Sequence, residues 1–226
     1  MPRNAKDTNA TIFGRLTGYA ADHDVPIPAG ERRIFLEASD YEVLVGSKRL
    51  QHFPIARHQA AALLQTASGD VLAISGFDVE DIRVSSHIRE IEISPGIAVA
   101  ALADLEIAPT ASPSVVRNVV AAASAGDAEY DGHDVDKIQA LFPRIRVLEI
   151  DAEVGGVENF TSNLLTVCAA ECASGNGWIN KHLADELFQL AEQRIAGLPY
   201  EFLVMATLGL DPKNLFLALY RCLEAT

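Results

Sequence analysis

Three acidic residues at alternate positions, Glu149, Asp151 and Glu153, form the pattern in this sequence with the clearest potential for chemistry. Alternate residues of a β-strand point to the same face, so a strand with this pattern would aim three carboxylates at one point. Carboxylate oxygens are the ligands that Mg²⁺ and Mn²⁺ prefer. The spacing therefore suits a divalent-metal-dependent hydrolase or nuclease, in which the metal polarises a phosphoryl or carbonyl oxygen.

A strand-loop-helix unit over residues 144–173 would position these carboxylates. Ile145 and Val147 lie on one face of the strand and Leu148 and Ile150 on the other, which is typical of a strand covered by helices on both sides. A glycine pair and an apolar helix follow. Ligands of α/β sheets bind beyond the carboxyl ends of the strands, so this junction is also a candidate site for a small ligand.

The same segment lacks the further residues that a metal site usually has. It contains no histidine, and no zinc-binding or nucleotide-binding motif accompanies the carboxylates. Cys168 and Cys172 share a helical face, but two thiols do not make a structural zinc site, so we interpret them as small packing residues. A strand whose last residues emerge into solvent is therefore the favoured interpretation of the acidic triplet.

The last part of the chain, residues 200–210 and 215–220, is apolar on almost every side of two short predicted helices. Such helices are either buried within their own chain or docked against another one. Docking predicts a non-catalytic interaction or adaptor subunit that binds a protein partner or forms a homo-oligomer; a buried C-terminal hairpin is the alternative. The predicted partner-binding residues are Phe202, Leu203, Leu215, Phe216 and Leu219.

Composition and charge disfavour several classes of function. The chain has 31 acidic and 18 basic residues and a net charge of −13, which disfavours direct binding to nucleic acid because that affinity comes from clustered Lys and Arg. No run approaches the roughly 18–20 consecutive apolar residues of a membrane span, and the first residues do not form a secretory signal. With three cysteines, an odd number, we expect a cytoplasmic protein without a disulfide framework.

Periodicity and capping residues predict the elements along the chain. We expect helices over 8–22, 56–66, 95–105, 113–123, 134–142, 160–173 and 180–196, and two more that begin near residues 199 and 211. We expect strands over 33–36, 42–45, 71–75, 82–85, 90–93 and 145–151.

These elements predict an α+β fold. A small mixed sheet of roughly four to six strands would have flanking helices and be followed by an all-helical C-terminal subdomain. The change from mixed elements to helices alone predicts a mixed α/β domain over residues 1–152 and a helical subdomain over 153–226. One continuous domain is the alternative.

Overall fold

A computed structural model describes residues 3–78, 85–124, 129–176, 178–209 and 211–225. It confirms the predicted α+β class, with a small sheet, flanking helices and a helical C-terminal region. In chain order the elements are α1 (Ala5–Ala21), α2 (Ala38–Gly46), β1 (Lys48–Ala56), β2 (Gln59–Thr66), β3 (Gly69–Ser75), β4 (Ile88–Ile91), α3 (Pro95–Asp104), α4 (Pro113–Val120), α5 (Val135–Gln139), β5 (Ile145–Ile150), α6 (Phe160–Glu171), α7 (Lys181–Glu192), α8 (Tyr200–Leu208) and α9 (Pro212–Ala225).

The chain forms two compact units. Unit 1 comprises the described residues up to Gly76 and those from Ile91 to Val147. Unit 2 comprises the described residues from Phe77 to Glu90 and from Leu148 onward. The chain therefore passes from one unit to the other within β5. The predicted domain boundary after residue 152 stays a prediction.

The five strands form one sheet in the order β1-β2-β3-β5-β4. The hairpins β1–β2 and β2–β3 are antiparallel, and residues 60–64 of β2 are buried on both faces. The helix predicted over 56–66 is therefore wrong. Its alanines and leucines favour a helix locally, but pairing with a strand on each side and burial of both faces outweigh that preference. Pro54 lies in β1, an edge strand, where a missing backbone donor is tolerated.

Two other predicted strands also differ from the structure. Residues 42–45 belong to α2, where Leu44 is fully buried and helix packing overrides the strand preference of the two valines. Of residues 33–36, only Ile34 pairs, in an isolated parallel bridge with His133. The strand predicted over 82–85 lies outside the described residues.

The starts of three capped helices were predicted to within one residue. The Ser112 hydroxyl accepts a hydrogen bond from Val115 N over 3.4 Å at the start of α4. At the start of α5, Asp134 Oδ1 accepts a hydrogen bond from Asp136 N over 2.9 Å. Asn180 does the same for α7, accepting from Leu183 N over 2.9 Å. Within the described ranges, none of the helices combines the length and the apolar character that a bilayer crossing requires.

Arginine side chains satisfy the free carbonyls at the C-terminal end of α3. Arg15 donates to the carbonyl oxygens of Leu102 and Ala103 over 2.8 and 3.1 Å, and Arg49 donates to that of Asp104 over 3.1 Å. Positive charge at this end of a helix also opposes the negative end of its dipole. These contacts fix α3 in the core of unit 1.

His133 is buried in unit 1 against two aromatic rings. Its imidazole centroid lies 5.1 Å from that of Phe13 and 5.5 Å from that of Tyr130. Its Nε2 atom is buried and has no hydrogen-bond partner among the described residues. Burial lowers the pKa of His133, and the charge of Arg32 lowers it further, against the opposing effect of a hydrogen bond with the Ala123 backbone. The folded chain therefore protonates this imidazole at a lower pH than the unfolded chain does.

We expect the free energy of unfolding to decrease as the pH falls from about 7.5 to about 5.5, because the unfolded chain protonates His133 near its ordinary pKa of roughly 6.5 and the folded chain only at lower pH. A His133→Phe variant keeps the ring packing and should lose part of this decrease. Urea denaturation of both proteins at the two pH values measures it. Equal pH sensitivity of variant and wild type would contradict the expectation.

Candidate protein-interaction surface

Of the three carboxylates predicted to form a metal site, only Glu149 lies in β5. The strand ends at Ile150, and the chain then turns, with Val154 N donating to the Asp151 carbonyl oxygen over 3.0 Å. Glu153 lies within that turn, where the alternation of a strand no longer sets the direction of its side chain. The alternation of acidic residues therefore extends beyond the end of β5, so the strand does not aim all three carboxylates at one point.

Glu149 and Asp151 each face a side chain that can carry positive charge. Arg89 Nε donates to Glu149 Oε2 over 2.6 Å, and His87 Nδ1 lies 3.2 Å from Asp151 Oδ2. The part of the chain that the structure describes has no group of three or more His, Cys, Asp or Glu residues that could hold a metal ion. Metal binding at these carboxylates stays a prediction, which calorimetry with Mg²⁺ or Mn²⁺ on wild type and Asp151→Ala would test.

Helices α8 and α9 carry all five predicted partner-binding residues, which differ in burial. Leu203 and Leu215 are buried, whereas Phe202 and Phe216 are exposed and Leu219 is half-buried. The buried leucines can pack only within their own unit. A partner could therefore contact the exposed members of the set.

Helix α9 is apolar on two sides. Leu215, Ala218 and Cys222 are buried, at a spacing of three and four residues that places them on one face. Phe216, Tyr220 and Leu223 follow the same spacing on an adjacent face, and all three are exposed. One apolar face is enough to attach a helix to its unit, so the second is not explained by the fold.

The exposed large hydrophobic side chains are concentrated on these two helices. Six of the eleven among the described residues lie on α8 and α9, although the two helices hold only 9 and 14 residues. We call these six the C-terminal apolar surface: Phe202, Met205, Phe216, Leu217, Tyr220 and Leu223. Four of them were missed from the sequence, where a search for a second helical stripe on α9 could have found Tyr220 and Leu223.

A cation–π contact joins the two helices at this surface. The guanidinium carbon of Arg221 lies 4.4 Å from the ring centroid of Phe202. Phe202 on α8 and Arg221 on α9 are both exposed, so this contact lies on the solvent side of the packed helix pair. The surface therefore includes residues of both helices, which touch each other at this point.

Hydrogen bonds hold α8 firmly in unit 2. The Tyr200 hydroxyl accepts from Ile195 N over 2.7 Å and lies 3.4 Å from the Leu190 carbonyl oxygen, to which it donates. Burial raises the pKa of this phenol. At the other end, Trp178 Nε1 donates to the Thr207 carbonyl oxygen over 2.9 Å. The helix that carries Phe202 and Met205 is thus fixed at both ends.

The three cysteines are free thiols and all are buried. Burial raises the pKa of Cys168 well above its ordinary value and that of Cys172 to about 11, and the nearby charge of Glu171 acts in the same direction on both. Thiols in this state are poor nucleophiles at neutral pH. Cys168 in α6 and Cys172 just after it are therefore buried and unreactive, and our interpretation of them as packing residues stays a prediction.

A groove of about 960 Å³ lies in unit 1, between α1 and the extended chain around residues 30–36. Phe13, Phe35, Tyr41 and Tyr130 contribute its aromatic side chains. The volume is within the range of small-molecule sites. None of its lining residues belongs to the segment 144–173, where the sequence predicted a small-ligand site.

Comparisons of the chain with protein-family models, with curated proteins and with solved structures found no match. A proposal about function must therefore rest on the residues of this chain alone. Among them, the C-terminal apolar surface is the feature that the folding of this chain alone does not explain.

Proposed function

We propose that this chain is a non-catalytic interaction subunit that binds another protein chain through the C-terminal apolar surface. The observation that carries the proposal is the exposed apolar face of α9, next to the face that already attaches the helix to its unit. Scattered exposed hydrophobic residues need no explanation, but their concentration on two helices that pack together is typical of a contact surface.

Burial of this surface would be strongly favourable. Phe216 is 68% exposed and Leu223 is 74% exposed, so most of each side chain would leave water in a complex. The six side chains together expose several hundred Å², and at about 25 cal/mol per Å² their burial contributes on the order of 10 kcal/mol before the entropic cost of association.

The composition of the surface fits a protein partner. Three of its six residues are aromatic, and tyrosine, phenylalanine and methionine are enriched in the centres of interfaces. Exposed charged residues lie on the same two helices, with Glu201 on α8 and Lys213, Arg221 and Glu224 on α9. An apolar centre with a polar rim is the usual anatomy of a protein–protein interface.

We place this subunit in the cytoplasm. Its three thiols are unpaired and buried, and a reducing compartment keeps such thiols in that state.

Photo-crosslinking tests the proposed function. With Tyr220 replaced by p-benzoylphenylalanine, irradiation of cells of the source organism should give a discrete covalent adduct between this chain and one other polypeptide. The additional substitution Phe216→Asp should remove the adduct, because a buried charge is costly to desolvate.

Val115 supplies the matched control position, since it is an exposed hydrophobic residue on α4 in unit 1. The photoreactive group at this position should give no discrete adduct. If position 220 gives no more crosslinking than position 115, or if Phe216→Asp leaves the adduct unchanged, the proposed function is wrong.

A further inference from the structure

We infer that the chain bound by the C-terminal apolar surface is a second copy of this chain. The inference rests on the proposed function and names its partner. The two α9 helices pack antiparallel across a twofold axis that passes between Leu219 and Tyr220. The twofold axis gives both copies the same environment.

The exposed stripe of α9 is complementary to itself in this register. Phe216 and Leu223 are equally far from the point between Leu219 and Tyr220, on opposite sides of it. A twofold axis at that point places Phe216 of each copy opposite Leu223 of the other and brings the two Tyr220 side chains together at the centre. Large side chains thus face aliphatic ones at both ends of the stripe, and no charged residue falls inside it.

The charges beside the stripe are also complementary to themselves. Lys213 and Glu224 are eleven residues apart, about three turns, so they lie on the same flank of α9. In an antiparallel twofold pair the same flank of each helix faces its counterpart. Lys213 of one copy then lies two residues, roughly 3 Å along the helix, from the position directly opposite Glu224 of the other copy. Both side chains are long enough to span that offset. The symmetry forms the ion pair twice.

The balance of charge favours a second copy over a strongly charged partner. The chain as a whole carries −13, yet the rim of this surface has two basic residues, Lys213 and Arg221, and two acidic ones, Glu201 and Glu224. A surface that selects a basic partner would carry excess acid, because complementary potentials set partner choice. The rim of this surface therefore has no excess negative charge, although the chain as a whole does, so two copies would not repel each other there.

The available area is sufficient for a reversible dimer. Phe202, Phe216 and Tyr220 are 43%, 68% and 51% exposed, and aromatic side chains bury roughly 150–250 Å² each when fully covered. With the other exposed members of the surface and the rim, the contact lies at the small end of specific interfaces, below the roughly 800 Å² per partner of a standard one. We therefore expect a dissociation constant in the micromolar range.

Sedimentation equilibrium on the purified full chain tests the dimer. The wild type should change from the mass of one chain to twice that mass as its concentration rises from low micromolar to a few hundred micromolar. Leu223→Asp should weaken the association at least tenfold, and Val115→Asp, which alters an exposed hydrophobic residue of unit 1, should leave it unchanged. Unchanged far-UV circular dichroism and thermal midpoint show that each variant is folded.

A charge exchange tests the register. Lys213→Glu or Glu224→Lys alone places like charges opposite each other across the axis and should weaken the dimer several-fold. The double variant restores opposite charges and should recover most of the wild-type affinity. A parallel dimer, or one formed by another surface, would show no such recovery, and that result would overturn the inference.

The outcomes separate this inference from the proposed function. A wild type that stays monomeric at all concentrations, with a Tyr220 adduct to a different polypeptide that Phe216→Asp removes, refutes the second copy and keeps the interaction subunit. A monomer without any such adduct refutes both. A dimer that Leu223→Asp and Phe216→Asp leave intact uses another surface and also refutes the inference.

Discussion

Replacing Phe160 with alanine is expected to lower the free energy of unfolding by about 4 kcal/mol, within the range for large aromatic residues truncated in a core. Phe160 is fully buried at the start of α6, the helix against which both α7 and α8 pack. The substitution removes a ring from the centre of unit 2 and leaves a cavity that the surrounding helices fill only in part. Urea denaturation followed by circular dichroism measures the change.

Val157 provides the control for this prediction. It precedes α6 by three residues and is exposed, so Val157→Ala should change the free energy of unfolding by about 0.5 kcal/mol or less. A loss below about 1 kcal/mol for Phe160→Ala would show that the start of α6 is not part of the core of unit 2.

The second large effect is expected from a single added methyl group. Gly96→Ala should lower the free energy of unfolding by about 3 kcal/mol, the upper part of the range for overpacked sites. A Cβ atom at Gly96 would overlap the Asp40 carbonyl oxygen and lie 3.0 Å from the Cβ of Val43. The contact that would be lost joins α2 and α3, where Gly96 N also donates to Asp40 Oδ1 over 3.2 Å.

The same chemical change at Gly18 should have the opposite sign. Gly18 lies in α1, and a Cβ atom there would meet nothing within 4 Å. Because alanine restricts the unfolded chain and favours the helix, Gly18→Ala should raise the free energy of unfolding by about 0.5–1 kcal/mol. Two alanine variants with equal effects in denaturant titrations would contradict the close packing of α2 on α3.

Elements that carry their own start signals could be predicted from the sequence. Ser112, Asp134 and Asn180 satisfy backbone donors within three residues, so the signal and its effect are both local. β2 could not be found in this way, because its residues favour a helix and only the pairing with β1 and β3 decides its state. α2 was missed for a related reason, since its valines favour a strand until the approach of α3 at Gly96 is known.

The contact of residues 200–220 with a partner stays a prediction, and the sequence indicated the burial of these residues only in part. The apolar composition of residues 200–220 indicated a contact region, and Phe202 and Phe216 are indeed exposed. Which leucines face inward depends on how α9 is rotated against the rest of unit 2, and a sequence that is apolar on every side carries no information about that rotation. Leu203 and Leu215 were therefore grouped with residues that have the opposite environment.

The buried thiols of unit 2 allow local opening of its helices to be measured by chemical labelling. An alkylating reagent reaches a buried thiol only when the surrounding structure opens, so its rate of labelling reports how often each helix detaches. Cys168 lies in α6 and Cys222 on the inner face of α9, so one modification experiment follows the two helices separately. If the terminal hairpin detaches without the rest of the unit, Cys222 reacts first, and a partner that covers the hairpin slows that reaction alone.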